Sequence, residues 1–97
     1  MAGPRIYADF QNLDEENRLR LNCAGTRQDL ERLGITLREG MSLTFYADDA
    51  DDDGLPDELL AVGVVQFNRA QNCWVALIDW REVHHASDDA NHNGQYG

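Results

Sequence analysis

The sequence predicts a mainly β fold: a small curled sheet of five to six antiparallel strands with one short helix. Three observations lead to this prediction. Apolar residues alternate with polar ones over most of the chain, only one segment has helical spacing, and polar or glycine-containing turns separate the apolar runs. The chain has 97 residues, 42% of them hydrophobic, which suffices for one core that buries roughly 60–65% of the unfolded surface. We assign residues 1–85 to this domain and the polar residues 86–97 to a flexible tail.

Two strands are predicted near the N-terminus. In residues 6–10 and 18–23 every second residue is apolar, so each segment presents one face to a core and the other to solvent. The inward residues are Ile6, Ala8 and Phe10 in the first segment, and Leu19, Leu21 and Cys23 in the second. Residues 12–17 are polar enough to connect the two strands as a hairpin.

The one helical signal covers residues 26–33. Thr26 is of the type that caps a first turn, Leu30 and Leu33 lie on one face, and Gly34 follows where a left-handed residue is favoured. A helix of about two turns is not stable in isolation. We therefore expect its two leucines to dock on the sheet.

The rest of the domain is predicted to consist of strands at residues 35–37, 42–47, 60–67 and 73–80. A tight turn at residues 38–40 joins the first two strands, and the five residues 68–72 join the last two as a hairpin. Gly63 predicts a bulge or a sharp bend inside its strand, which a curling sheet needs. Residues 81–85 are expected to form one helical turn.

The order of these elements resembles a known architecture over residues 37–85. A strand, a long acidic loop, a second strand, a short hairpin, a third strand and a single turn follow one another as in the SH3-like small barrels, and a curled OB-like barrel is similar. The resemblance implies a binding module. It assigns no functional residue.

Residues 48–58, called the acidic loop below, contain seven acidic residues in eleven positions. Within them lies the calcium-loop spacing D-x-D-x-D-G-x-x-D, with Gly54 at the sixth position. The twelfth position is Leu60, where an EF-hand has a bidentate Glu, so a calcium site here would be weak. Its ligands would be Asp49, Asp51, Asp53 and Asp57, together with the carbonyl of Leu55.

Outside the acidic loop the charges nearly balance. Residues up to Ala47 carry six Arg and seven acids, residues from Leu59 onward carry two Arg and four acids, and the total is −10. This balance argues against nucleic acid and anionic membranes as partners, because both bind clustered Lys and Arg.

All eight basic residues are Arg, and Asp outnumbers Glu by twelve to six. A G+C-rich genome or a high-salt cytoplasm would enrich Asp without any ligand, so a plain solvated hairpin loop is the alternative to a calcium site.

The remaining signals concern compartment and thiol chemistry. No apolar run near Met1 has the length of a signal peptide, and none is long enough to cross a bilayer. A soluble cytoplasmic protein is therefore expected. Cys23 and Cys73 lie fifty residues apart in apolar segments without C-x-x-C spacing, which favours buried reduced thiols over a disulfide.

Other reactive residues match no known catalytic or metal motif. The histidines and acids near the C-terminus have the ligand types of a zinc or nickel site, but neighbouring residues on a strand point in different directions. They are His84, His85, Asp88, Asp89 and His92. The chain has no nucleophile elbow and no phosphate-binding glycine loop. We predict no enzymatic activity.

These observations predict a non-enzymatic domain that binds another protein with a basic surface through the acidic loop and neighbouring aromatic residues. Trp74 and Trp80 lie six residues apart, which in a regular strand places both on one face, where they could anchor a partner or complete the core. The alternative is a weak calcium-binding domain. A DNA-mimicking inhibitor is disfavoured because the acids cluster in one loop. The expected contact residues are Asp48, Asp52, Glu58, Trp74 and Trp80.

Overall fold

A computed structural model describes residues 4–50 and 52–88 of the chain. Its elements are β1 (Arg5–Tyr7), β2 (Leu19–Arg20), α1 (Ala24–Leu33), β3 (Ser42–Ala47), β4 (Leu59–Asn68), β5 (Cys73–Ile78), a 3₁₀ turn (Trp80–Glu82) and β6 (His84–His85). The mainly β prediction is confirmed, with a strongly curled six-stranded half-barrel and one helix of ten residues. No helix within these residues is long and apolar enough to cross a membrane.

The sheet is mixed, so the prediction of purely antiparallel strands was wrong. The strand order is β1-β3-β4-β5-β2, and β6 pairs with β4. β1 runs parallel to β3, while the other pairs are antiparallel. The chain between β1 and β3 passes through β2 and α1, and such a long crossover allows a parallel pair where a short hairpin would not.

β4 is the longest strand and joins the two halves of the sheet. Its first half pairs with β3 from Leu59 to Val64, and its second half pairs with β5 from Gly63 to Asn68. The register is continuous through Gly63, so the predicted bulge is absent. A Cβ on Gly63 would lie 2.5 Å from Ile78 Cδ1 and 3.0 Å from Phe45 Cε2. Glycine is therefore needed because neighbouring side chains crowd this part of the sheet.

The core lies on one face of the curled sheet and follows the predicted alternation. Phe45, Leu19 and Val65 are fully buried on three different strands. Leu30 and Leu33 of α1 pack against this cluster, as expected from their spacing. On the opposite face, Val62, Val64 and Leu77 are exposed.

α1 begins two residues earlier than predicted, because Thr26 does not cap it. Cys23 occupies the N-cap, its side chain makes no capping bond to the helix backbone, and Thr26 is fully buried. The Thr26 hydroxyl donates instead to the Tyr7 carbonyl oxygen at 2.6 Å. Gly34 ends the helix with φ 68°, which confirms the predicted left-handed residue.

Several predicted strands are shorter in the structure or absent. Residues 35–37 form no strand, and the two N-terminal strands retain only Arg5–Tyr7 and Leu19–Arg20. β5 ends at Ile78, and the 3₁₀ turn Trp80–Glu82 replaces both the end of that strand and the helical turn predicted for residues 81–85. The Asp79 carboxylate accepts from the Arg81 N–H at 3.1 Å and caps this turn.

Candidate functional site

The acidic loop continues the hairpin formed by β3 and β4. The Asp57 N–H donates to the Asp49 carbonyl oxygen at 2.9 Å, and Ala50 and Pro56 form an isolated antiparallel bridge. Gly54 has φ 79° near the tip, a conformation that favours glycine. The described part of the loop is thus a hairpin whose two arms are bonded to each other.

Two loop carboxylates hold the segment that follows the 3₁₀ turn. Asp49 Oδ2 lies 2.7 Å from His85 Nε2. The Asp57 carboxylate accepts from the Ser87 N–H at 3.0 Å and from the Ser87 hydroxyl at 2.6 Å. The first residues assigned to the flexible tail therefore contact the loop, while residues 89–97 lie outside the described residues.

These contacts change the acidity of the groups involved. The hydrogen bond to Asp49 raises the pKa of His85 above its ordinary value of 6.5, and Asp57 adds to the shift. The bond to His85 in turn lowers the pKa of Asp49, and the two bonds from Ser87 lower the pKa of Asp57. Because all three side chains are at least partly exposed to solvent, these pairs are expected to stabilise the loop only weakly.

An open depression with a volume of about 710 Å³ lies between the arms of the loop and residues 86–87. Asp48, Asp49, Asp57 and Glu58 supply its carboxylates. We call these four residues, together with Asp52, the acidic edge. Glu58 lies 3.5 Å from Arg5 Nη1, whereas the side chains of Asp48 and Asp52 bond to no residue in the described ranges. The acidic edge therefore contains carboxylates that are available to a cationic partner.

Of the residues predicted to bind calcium, those that the structure describes form no group able to hold a metal ion. Asp49 and Asp57 direct carboxylate oxygens to His85 and Ser87. Asp53 and Leu55 are exposed, and Asp51 lies outside the described residues. Within residues 4–50 and 52–88, no three His, Cys, Asp or Glu residues form a group able to hold a metal ion.

Trp74 and Trp80 do not lie on the same strand, because β5 ends at Ile78. Trp74 is partly buried against the core and makes an edge-on contact with Phe67 at 5.0 Å between ring centroids. Trp80 lies beyond the end of β5, is 39% exposed, and donates its indole N–H to the Asn17 carbonyl oxygen at 3.1 Å. Trp74 pairs with Phe67 near the end of β4, roughly 25 Å along that strand from the acidic loop at a rise of about 3.3 Å per residue.

The aromatic residues next to the acidic edge are two tyrosines that sequence reasoning missed. Tyr7 and Tyr46 pack edge to face at 5.6 Å between ring centroids. Burial raises the pKa of Tyr46 most, the Asp29 carboxylate raises it further, and Glu58 and Asp48 add to the shift. The alternation of β3 could have indicated that Tyr46 faces away from Phe45, but no local signal indicated its proximity to Tyr7.

The other candidate residues are the two cysteines and the C-terminal histidines and acids, of which His85 donates its backbone N–H to the Asp88 carboxylate at 3.3 Å. Both cysteines are free and partly buried, and Cys23 Sγ lies 2.9 Å from the Thr26 hydroxyl. His84 directs Nδ1 to the Glu82 carbonyl oxygen at 2.9 Å, whereas His85 bonds to the acidic loop. Asp89 and His92 lie outside the described residues. Adjacent histidines with different partners follow from their alternation along β6.

Comparisons with models of protein families, with curated proteins and with solved structures found no match to this chain.

Proposed function

We propose that this protein is a non-enzymatic binding domain whose acidic edge takes up a basic segment of another protein. The observation that carries the proposal is the depression lined by Asp48, Asp49, Asp57 and Glu58. Charges grouped in this way raise the rate at which a cationic partner associates and disfavour acidic partners.

Apolar groups beside the acidic edge supply contact area for the same partner. Leu55, near the tip of the loop, is 61% exposed. Tyr46 is close enough to Asp48 and Glu58 for their charges to raise its pKa. Steering by carboxylates combined with aromatic and aliphatic contacts is the usual composition of a protein-binding surface. Trp74 lies on β5 and pairs with Phe67 near the far end of β4, too far from the acidic edge to belong to this surface. Tyr46 takes its place in the proposal.

The architecture supports a binding role of the kind found in SH3-like or OB-like barrels, in which loops between strands form the ligand surface. We retain that comparison as part of the proposal. Here β1 and β2 form the two ends of the strand order, and α1 contacts β1 at one of them. The β3–β4 loop then serves as the recognition element.

The test uses a double variant that changes charge without breaking a described bond. Asp48→Asn with Asp52→Asn removes two charges from the acidic edge. The control, Glu31→Gln with Glu82→Gln, removes two charges from α1 and the 3₁₀ turn. All four side chains are exposed and bond to no described residue. Both proteins should therefore fold as the wild type does.

Binding of a lysine- and arginine-rich peptide is measured by titration calorimetry at two salt concentrations. We expect the loop variant to bind several-fold more weakly than the control at low salt, and the difference to shrink at high salt because exposed charges are screened. Equal losses in the two variants would mean that only the net charge matters. That result would contradict the proposal.

A further inference from the structure

A second concave site lies away from the acidic edge, between α1 and the region where β2 and β5 meet. It is a groove with a volume of about 280 Å³. Its apolar lining comes from Leu21, Leu30, Leu37 and Trp74, and Asn22 and Arg27 stand among its polar lining residues. None of these residues belongs to the acidic edge, so a role for the groove is independent of the function proposed above.

The apolar lining is held in place by the core. Leu21 is only 5% exposed, and Leu30, Leu37 and Trp74 all pack against the main core cluster. The edge-on contact with Phe67 restrains the Trp74 ring further. A preformed apolar surface of this kind binds a ligand without a large cost in side-chain ordering.

The polar side chains of Arg27 and Asn22 offer donors. The Arg27 guanidinium bonds to no residue of the described chain. Asn22 Oδ1 accepts from Asn12 Nδ2 at 2.9 Å, so the free end of the Asn22 amide is its donor group. Asn12 Oδ1 accepts in turn from Arg20 Nη1 at 3.5 Å, so Asn12 Nδ2 is the atom that donates to Asn22. The ligand that fits such a site carries an acceptor with negative charge.

We propose that this groove binds a small monocarboxylic acid with an apolar body. The carboxylate would accept from Arg27 and Asn22, in the geometry that a guanidinium offers to carboxylates. The apolar body would lie on Trp74 and the leucines. The volume lies just below the usual range for ligand pockets, roughly 300–1,000 Å³, which suits one ring with a short side chain better than an extended peptide.

The acidic loop does not oppose this ligand strongly. The acidic loop precedes Leu59, at the other end of β4 from the Phe67–Trp74 pair. The distance along that strand from Leu59 to Phe67, roughly 25 Å, exceeds a Debye length of about 8 Å at physiological ionic strength. Glu31, four residues after Arg27 on α1, forms no ion pair with it.

The experiment uses 3-phenylpropionate as the probe and the full chain as the receptor. The chain contains two tryptophans, so its two indole N–H signals in an NMR titration separate the groove from the rest of the surface. We expect the Trp74 signal to shift and saturate while the Trp80 signal stays in place. The neutral amide of the same acid should bind roughly tenfold more weakly, because a charge-assisted hydrogen bond is lost.

Variants of two exposed arginines test whether the Arg27 guanidinium binds the carboxylate of the ligand. Arg27→Gln should weaken binding of 3-phenylpropionate roughly fivefold to tenfold, and Arg27→Lys should weaken it less. Arg81→Gln removes the same charge outside the groove and should leave the affinity unchanged. Arg27 and Arg81 are exposed, so the variants are expected to fold.

Three results would overturn the proposal. They are no saturable shift of Trp74, equal affinity for the acid and its amide, and equal affinity of the Arg27→Gln and Arg81→Gln variants. A peptide ending in a free phenylalanine carboxylate serves as a further probe. If it bound more tightly than 3-phenylpropionate, the occupant would be a chain terminus, and the small acid would be the wrong ligand.

Discussion

The Asp14 carboxylate shows how a single buried charge organises a loop. Its side chain has no solvent exposure and accepts from the N–H groups of Glu16 and Arg18, from Arg18 Nε at 2.8 Å and from Asn68 Nδ2 at 3.0 Å. Burial alone would raise the pKa of Asp14, but these hydrogen bonds outweigh it and lower the pKa below its ordinary value of 3.8. The loop before β2 is thereby tied to the end of β4.

Asp14→Asn should destabilise the protein by about 2–4 kcal/mol, because it breaks a buried ion pair and cannot satisfy every donor. Since the folded-state pKa lies below the unfolded one, the stabilisation is fully present above the unfolded-state pKa and is lost as the pH falls through the folded-state pKa. The difference in unfolding free energy between wild type and variant should therefore be constant near neutral pH and narrow below about pH 4.

Urea unfolding at a series of pH values measures this difference, with Asp9→Asn as the control. Asp9 is exposed, and its carboxylate accepts one described bond, from the Gln11 N–H. If both variants lost the same small amount of stability, the hydrogen bonds around Asp14 would not contribute about 2–4 kcal/mol to the free energy of unfolding.

Gly63 tests the packing around the middle of β4. Gly63→Ala would place a Cβ 2.5 Å from Ile78 Cδ1 and 3.1 Å from Ala76 Cβ. We expect a loss of about 1–3 kcal/mol in unfolding free energy from overpacking. Ile78→Val in the same chain removes the closest methyl group, so the double variant should lose less than the sum of the two single changes. Simple addition of the two losses would show that the close approach is not the cause.

At the scale of elements, α1 protects the edge of the sheet. The N–H of Tyr7 donates to the Asp29 carboxylate at 2.9 Å, and its carbonyl oxygen accepts from Thr26. Both side chains come from α1, which thus satisfies backbone groups that β1 would otherwise present to another strand. Exposed edges of this kind promote aggregation. The short helix is therefore a cover for β1 as well as a source of core leucines.

Thr26→Val removes one of these bonds while keeping the shape of the side chain. We expect a loss of about 1–2 kcal/mol, because the Tyr7 carbonyl is left without its donor. Thr36→Val is the matched control, since Thr36 is exposed and bonds to no described side chain. Native-state amide exchange at Tyr7 should become faster in the first variant only. Unchanged exchange would mean that α1 does not protect this edge.

At the scale of the whole molecule, the net charge of −10 makes salt a stabiliser. Monovalent salt screens repulsion in the acidic loop, whereas a true calcium site would add a stabilisation of RT ln(1 + [L]/Kd) that is specific to calcium. Asp49 and Asp57 already bond to His85 and Ser87. We therefore expect millimolar calcium, over constant sodium chloride, to raise the melting temperature little more than magnesium does.

Thermal unfolding with each cation measures this, and the Asp49→Asn, Asp53→Asn variant is the control. A saturable increase in melting temperature with calcium alone, absent in this variant, would show that the acidic loop is a calcium site and not a plain solvated loop. Such a result would also require the Asp49–His85 contact to open, which the chemical shifts of His85 would report.

The agreement between sequence and structure is best where the signal is local. Residues 42–47 form β3 with the predicted bounds, and Gly34 takes its left-handed conformation. The helix was displaced by two residues because Thr26 has a partner on β1, nineteen residues away. Trp80 was misplaced because Asp79 caps a 3₁₀ turn that interrupts the alternation of β5. Similarly, the spacing of the acidic loop suggested calcium ligands, and two of them, Asp49 and Asp57, bond instead to residues 36 and 30 positions further on.

The sequence by itself determined the class of fold, the inward-facing residues of the two N-terminal strands, and the position of the acidic hairpin. These follow from side-chain alternation, turn residues and charge, which act between near neighbours. Only the tertiary structure decided the parallel pairing of β1 with β3, the partners of Asp49 and Asp57, and the groove beside Arg27. Each of these depends on contacts between residues distant in the chain, and their free energies appear only once the sheet has curled.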